Sequence, residues 1–186
     1  MTAHKTFFSY ELSFREVDVG VRAQGVSQDR YTVIPRVLIF PFASDGKVLL
    51  LKGAAHKRIW AGLWNGSGGH VEAGESILQA AQRELQEETG LQAERLLFCG
   101  AVIVETQTRP GIAFFVFKAE GLNGNQHDSP EGTLQWFALD EIHQVPLVED
   151  VPTLVGKVSR FQVGSQPFWG LYRYDADNQL VMSFEG

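Results

Sequence analysis

Hydrophobic and polar positions along this 186-residue chain fall into blocks of two different periods. Phe8, Tyr10, Leu12 and Phe14 alternate with Ser9, Glu11, Ser13 and Arg15, the period-two pattern of a strand with one buried face. Residues 32–40 (TVIPRVLIF) and 47–52 (KVLLLK) predict two more strands, with a turn at Asp45-Gly46 between them. From 61 to 76 the chain is irregular and carries Gly62, Gly66, Gly68, Gly69 and Gly74, the composition of a tight loop. The period then lengthens. Ile77, Leu78, Ala81 and Leu85 recur at helical spacing, and Gly90 stands where a helix over 76–89 would stop. Apolar runs at 96–105, 112–119 and 133–139 predict strands, and 140–145 a helical turn. Asp150 and Pro152 open a second helix carrying Leu154, Val155, Val158 and Phe161 at helical spacing. Residues 168–174 and 179–184 flank 175–178 as a last hairpin. The pattern is an α/β domain, a mixed sheet with helices inserted, spanning 1–186 with an N-terminal strand extension at about 6–22.

Composition narrows the field. The chain is 44% hydrophobic and 20% charged, ordinary for a globular protein. Its net charge is −6, and the pI is about 5.3, which argues against a nucleic-acid or membrane-surface binder. A small phosphorylated ligand remains compatible, provided cations accompany it. Cys99 is the single cysteine, so no intrachain disulfide forms, and its apolar surroundings mark it as a buried small hydrophobe. No apolar run approaches the roughly 18 residues of a membrane span, and the N-terminus lacks a signal-peptide block, so a cytoplasmic location is expected.

The chemistry concentrates at Glu84, Glu87 and Glu88. With about 100° per helical residue, all three share one face beside the apolar stripe. Two unit charges about 4 Å apart repel by about 4 kcal/mol at an effective dielectric of 20. Taken alone, the cluster reads as a solvated acidic face partly relieved by Arg83. The sharper reading is a hard-metal site, because carboxylate oxygens suit Mg²⁺ and the softer ligands of zinc are missing. The Gly66–Gly69 run permits close backbone approach, Glu75 suits the start of a helix, and Arg83 can hold a neighbouring carboxylate.

The stretch 69–91 resembles the Nudix box: Gly, five residues, Glu, seven residues, Arg-Glu, an aliphatic, any residue, Glu-Glu, any residue, Gly, and an aliphatic. Gly69, Glu75, Arg83, Glu84, Leu85, Glu87, Glu88, Gly90 and Leu91 fill every fixed position. The resemblance implies the Nudix α/β/α sandwich around a mixed β-sheet. It also implies hydrolysis of a nucleoside diphosphate linked to another group. It assigns Glu84, Glu87 and Glu88, with the Gly69 carbonyl, to divalent cations (Mg²⁺, or Mn²⁺), and gives Glu75, Arg83 and Gly90 structural roles. Glu131, in a Glu-Gly followed by a tryptophan strand, is similar to the family's downstream glutamate and is the candidate base or further ligand. Glu105 and Glu120 compete with it.

The tail from 147 to 175 resembles the MutT-type members that hydrolyse oxidised purine nucleoside triphosphates such as 8-oxo-dGTP. Asn65 matches an Asn that reads the purine edge there, and Asp150, beside Glu149, an acidic residue that contacts the base. Lys52 is a third substrate-binding candidate. Asn65 also reads as a turn residue, Asp150 as an N-cap, and 56–60 (HKRIW) as either a phosphate-attracting loop or a solvated one anchored by Trp60. Leu147-Val148 and His70 depart from the subgroup's usual aromatic and lysine. Thr106 and Thr108 stand where ADP-ribose and dinucleoside-polyphosphate members usually carry Pro and Tyr. Those pyrophosphatases remain the alternative, with a non-catalytic nucleotide sensor further behind. The expected partner is a small nucleotide, with no nucleic acid or membrane, and the protein is a monomer or homodimer.

Overall fold

The computed structural model describes residues 24, 25 and 29–186, and every element below lies within Tyr31–Gly186. The strand expected around Phe8–Phe14, and with it the extension at about 6–22, falls outside the described residues.

A five-stranded mixed sheet runs in the order β1-β5-β4-β7-β8. Its strands are β1 (Val33–Pro41), β4 (Leu91–Val104), β5 (Gly111–Gly124), β7 (Phe168–Tyr174) and β8 (Leu180–Glu185). The β1–β5 and β4–β7 pairs are parallel; β4–β5 and β7–β8 are antiparallel. A smaller antiparallel sheet orders β3 (Trp64–Asn65), β2 (Val48–Gly53) and β6 (Gly132–Phe137). The two helices are α1 (Ile77–Thr89) and α2 (Val151–Ser159).

Alternation along β1 explains the layering. Val37 and Ile39 pack with Ala80, Ala81 and Leu85 of α1, whereas Phe40 joins Val151, Leu154, Val155 and Val158 of α2. Adjacent residues of a strand face opposite ways, so β1 carries one core on each side. Its β1–β5 pairing, with both faces covered, explains the continuous apolar run that the sequence shows there. This is the α/β sandwich with a mixed sheet that the sequence predicts.

Both helix ends have local causes. Ser76 and Gln79 form a reciprocal capping box, with Gln79 N–H to Ser76 Oγ at 3.2 Å and Ser76 N–H to Gln79 Oε1 at 2.8 Å. At the other end Gly90 takes φ +72° and donates its N–H to the Gln86 carbonyl. The C-terminus of α2 meets a different device. Buried Lys118 of β5 donates to the Phe161 carbonyl at 3.0 Å while pairing with Glu120 at 2.9 Å. Cys99 is buried, donates to the Leu97 carbonyl, and has its thiol pushed up to about 12 by burial. Among the described residues no helix is long and apolar enough to cross a membrane.

Candidate active site

The glycine-rich loop before α1 lies along β1 as if it were another strand. Ile39 N–H donates to the Ser67 carbonyl (2.7 Å), Val37 N–H to Gly69 (2.9 Å) and Val71 N–H to Pro35 (3.0 Å). Two glycines make the fit possible. Gly68 has φ +152°, and a Cβ there would collide with the Val37 carbonyl. At Gly69 a Cβ would fall onto the carboxylate of Glu84. The loop is thereby pressed against α1, and the Gly68 N–H donates to Glu88 Oε2 at 2.7 Å.

Arg83 ties the loop to the helix. Its Nε and Nη2 grip both oxygens of Glu75, at 3.1 and 2.7 Å, the bidentate geometry that suits a planar guanidinium. Nη2 also reaches the His70 carbonyl at 3.0 Å, while Nη1 meets Glu84 at 2.8 Å and Glu87 at 3.1 Å. Glu75 in turn accepts from the Glu72 N–H at 2.7 Å. Arg83 holds the Glu75 carboxyl below its usual range, and Glu75, then Glu84 and Glu87, hold Arg83 above its own.

Glu88 is the buried member of the trio, only 5% exposed. Burial pushes its pKa up to about 7 against the opposing pull of the Gly68 N–H; neighbouring Glu84 and Glu131 add to the rise. Burial also raises Glu84, against Arg83. An all-oxygen donor set whose buried members resist ionisation is suited to a hard divalent cation, which would favour their charged forms. Among the described residues, however, no three His, Cys, Asp or Glu side chains stand close enough to share an ion. The cause is visible: Glu84 and Glu87 are turned to Arg83. The Gly69 carbonyl already accepts from Val37 and keeps one further lone pair.

These groups line one end of a cleft of about 840 Å³. Glu131 lines it too, half exposed and paired with Lys57 at 2.6 Å. Its competitors do not. Glu105 pairs with Arg173 and Glu120 with Lys118 and Arg95, all outside the cleft.

Asn65 and Asp150 line the same cleft. The Asn65 amide oxygen accepts from the Gly66 N–H at 2.8 Å, which leaves its NH₂ to donate outward. Asp150 precedes α2 but makes no side-chain cap bond, so its carboxylate is not spent on the helix. It is 8% exposed, and burial raises its pKa to about 6. The Tyr172 hydroxyl acts on this carboxylate electrostatically, while making no hydrogen bond of good geometry to any described residue.

Lys52 is corrected. Leu51 and Gly53 line the cleft, so strand alternation turns Lys52 away from it, and its Nζ lies 5.9 Å from the centre of the buried Trp64 ring. Arg36, Phe114 and Tyr172 are among the cleft residues that the sequence reading does not single out. All three lie inside predicted strands, where alternation marks two faces without saying which one is left open. Trp60 lies at the cleft with φ +60° and is 46% exposed, so it does not anchor its loop by burial.

The loop, helix and cleft belong to a nucleotide-processing class, and the chain is a member of the Nudix hydrolase family: the NUDIX domain model matches residues 33–155. Proteins of this family generally use divalent metal cations. Among its relatives is the oxidized purine nucleoside triphosphate hydrolase of Mus musculus, 38% identical over 140 residues, covering 73% of this chain and 84% of the mouse protein. The Danio rerio protein of the same name is 41% identical over 101 residues, covering 52% of this chain and 62% of its own length. Among solved structures, the MutT protein of Bacillus halodurans superposes with TM-score 0.68 at 26% identity, over 82% of this chain and 98% of that one.

Proposed function

We propose that this protein hydrolyses oxidised purine nucleoside triphosphates, with 8-oxo-dGTP as the reference substrate, to the monophosphate and pyrophosphate in the presence of Mg²⁺ or Mn²⁺. One observation carries this reading: Asp150, buried and free of capping, opens into the same cleft as Glu84, Glu87 and Glu88. A ligand that engages both ends needs a ring with hydrogen-bond donors at one and a polyphosphate at the other. The names of the mouse and zebrafish relatives support the substrate class.

In this reading the Asn65 NH₂ donates to the purine edge and Asp150 accepts from its imino and amino groups. Glu84, Glu87, Glu88 and the Gly69 carbonyl would hold the divalent cations, which when bound offset the triphosphate charge and favour attack by water. Arg83 and Glu75 fix the loop against the helix, and Gly90 ends the helix in register. Hydrolysis breaks one anhydride P–O bond, forms one to the water oxygen, and releases the water's proton. Glu131, which reaches solvent, is assigned to take that proton.

The test is pyrophosphate and orthophosphate release with Mg²⁺ over 8-oxo-dGTP, the four dNTPs, ADP-ribose and a dinucleoside tetraphosphate. Pyrophosphate from 8-oxo-dGTP in clear preference to the rest is expected. Monophosphates from ADP-ribose, or products from the tetraphosphate, in place of that activity would overturn the substrate assignment. Silence with nucleotide binding intact would favour a sensor.

A further inference from the structure

Arg36 is the cleft group for which the roles above leave no task. It lies on β1, in register with Phe114 of β5, and both line the cleft. Its Nε is buried without a hydrogen-bond partner, and its guanidinium makes no hydrogen bond or ion pair with any described residue. Burial lowers its pKa, and no carboxylate contributes an opposing pull. The side chain is partly buried, so the cost falls on the sealed-off Nε–H, and a guanidinium is a rigid fork that cannot turn its donors into acceptors. Arg83 shows the contrast, because its donors are matched by carboxylates and a carbonyl.

The neighbours say what kind of acceptor is missing. The Phe114 ring meets the edge of Tyr172 at 5.8 Å, and Tyr172 adjoins Asp150. Arg36 and Asp150 therefore adjoin one aromatic floor, Arg36 beside Phe114 and Asp150 beside Tyr172, one offering only donors and the other, when ionised, only acceptors. A flat ring on that floor is best matched if it shows a carbonyl oxygen toward Arg36 and N–H groups toward Asp150. Guanine-type rings carry both on one edge, with O6 at one end and N1–H and N2–H₂ following it; an adenine-type ring carries an amino donor where O6 would be.

We propose that Arg36 is a specificity-determining residue that donates to a ring carbonyl of the bound base and makes the cleft prefer 6-oxopurines over 6-aminopurines. This rests on the oxidised-purine reading given above.

The test is kcat/KM of wild type, Arg36→Met and Arg36→Gln with 8-oxo-dGTP and with 2-oxo-dATP, beside melting curves of the nucleotide-free proteins. Met keeps the apolar stem without donors, and Gln restores an uncharged donor. The expected result is that the 8-oxo-dGTP to 2-oxo-dATP ratio falls by roughly tenfold or more in Arg36→Met, chiefly through KM, with partial return in Arg36→Gln. Free Arg36→Met should melt no lower than wild type, since it keeps the apolar stem and loses an unpartnered, partly buried guanidinium. An active wild type whose ratio is unchanged in both variants overturns the proposal and leaves the substrate reading standing. Equal losses on both substrates, or a lowered melting point that accounts for them, also overturn it. A wild type inactive on both removes the substrate reading, and this proposal with it.

Discussion

At the glutamate end of the cleft Arg83 is matched by Glu75, Glu84 and Glu87, whereas at the base end Asp150 is buried and the Nε of partly buried Arg36 is sealed off, with no ion pair to either among the described residues. The first arrangement holds a shape without any ligand. The second is costly until something enters. A paired cluster is stabilised by its own geometry, and removing its hub harms the fold. An unpaired buried group can be removed with little harm to the fold, at the expense of recognition. Each end thus predicts an opposite relation between stability and activity.

The sharpest break is Glu88→Gln. The amide can still accept from the Gly68 N–H, so the loop keeps its anchor while a carboxylate is lost. Hydrolysis should fall by about 10²-fold or more, with melting temperature held or raised because a buried acid has become neutral. Activity within a few-fold of wild type would take Glu88 out of the reaction. Arg83→Ala comes next and should couple the two properties. Glu75, Glu84 and Glu87 lose their shared cation, so activity falls by about 10- to 100-fold and the melting temperature falls with it. A variant that keeps its melting temperature would show that the clamp is not what holds the loop.

The contrast between the ends also explains what the sequence could disclose. The glutamate end is local: Glu75, Arg83, Glu84, Glu87 and Glu88 lie within fourteen positions on one loop and one helix, and helical spacing alone puts the last three on one face. Ser76 and Gly90 bound that helix by local signals, and both ends fall as expected. The base end is assembled from β1, β3, β5, β7 and the start of α2. Arg36 and Phe114 are 78 positions apart and become neighbours only through the β1–β5 register, which no local pattern specifies. Strands β4 and β5 also run longer than their apolar stretches, because pairing from Leu91↔Gly124 onward carries polar residues along with the ladder. The turning of Glu84 and Glu87 to Arg83 was illegible for a related reason: spacing places charges on a face but does not choose their partners.

Asp150→Asn separates recognition from stability at the base end. Burial raises the wild-type pKa from 3.8 to about 6, so between those values the folded state holds a proton that the unfolded chain has released. The stability linked to this group is therefore fully present below about pH 4 and is lost as pH rises toward 6, with an upper limit of about 3 kcal/mol. Urea unfolding of wild type should show that decline, and the Asn variant should lack it and be the more stable protein at pH 8. Its kcat/KM for 8-oxo-dGTP should nonetheless drop by about tenfold, because an amide presents a donor where the carboxylate presented only acceptors. Identical pH profiles would mean that Asp150 is solvated in solution.

Lys52→Ala should have the smallest effect, and it tests where the cleft ends. A lysine close in sequence to Asn65 in an acidic protein invites a role in attracting phosphate. Strand alternation decides otherwise: Leu51 and Gly53 face the cleft, and Lys52 projects away toward the Trp64 ring. An exposed cation–π contact contributes about 0.5–1 kcal/mol, so the melting temperature should move by only a few degrees. The kcat/KM for 8-oxo-dGTP should stay within about twofold, apart from weak long-range attraction that added salt suppresses. A loss that persists at high salt would place the ammonium on the substrate. The nucleotide would then reach past the edge of β2.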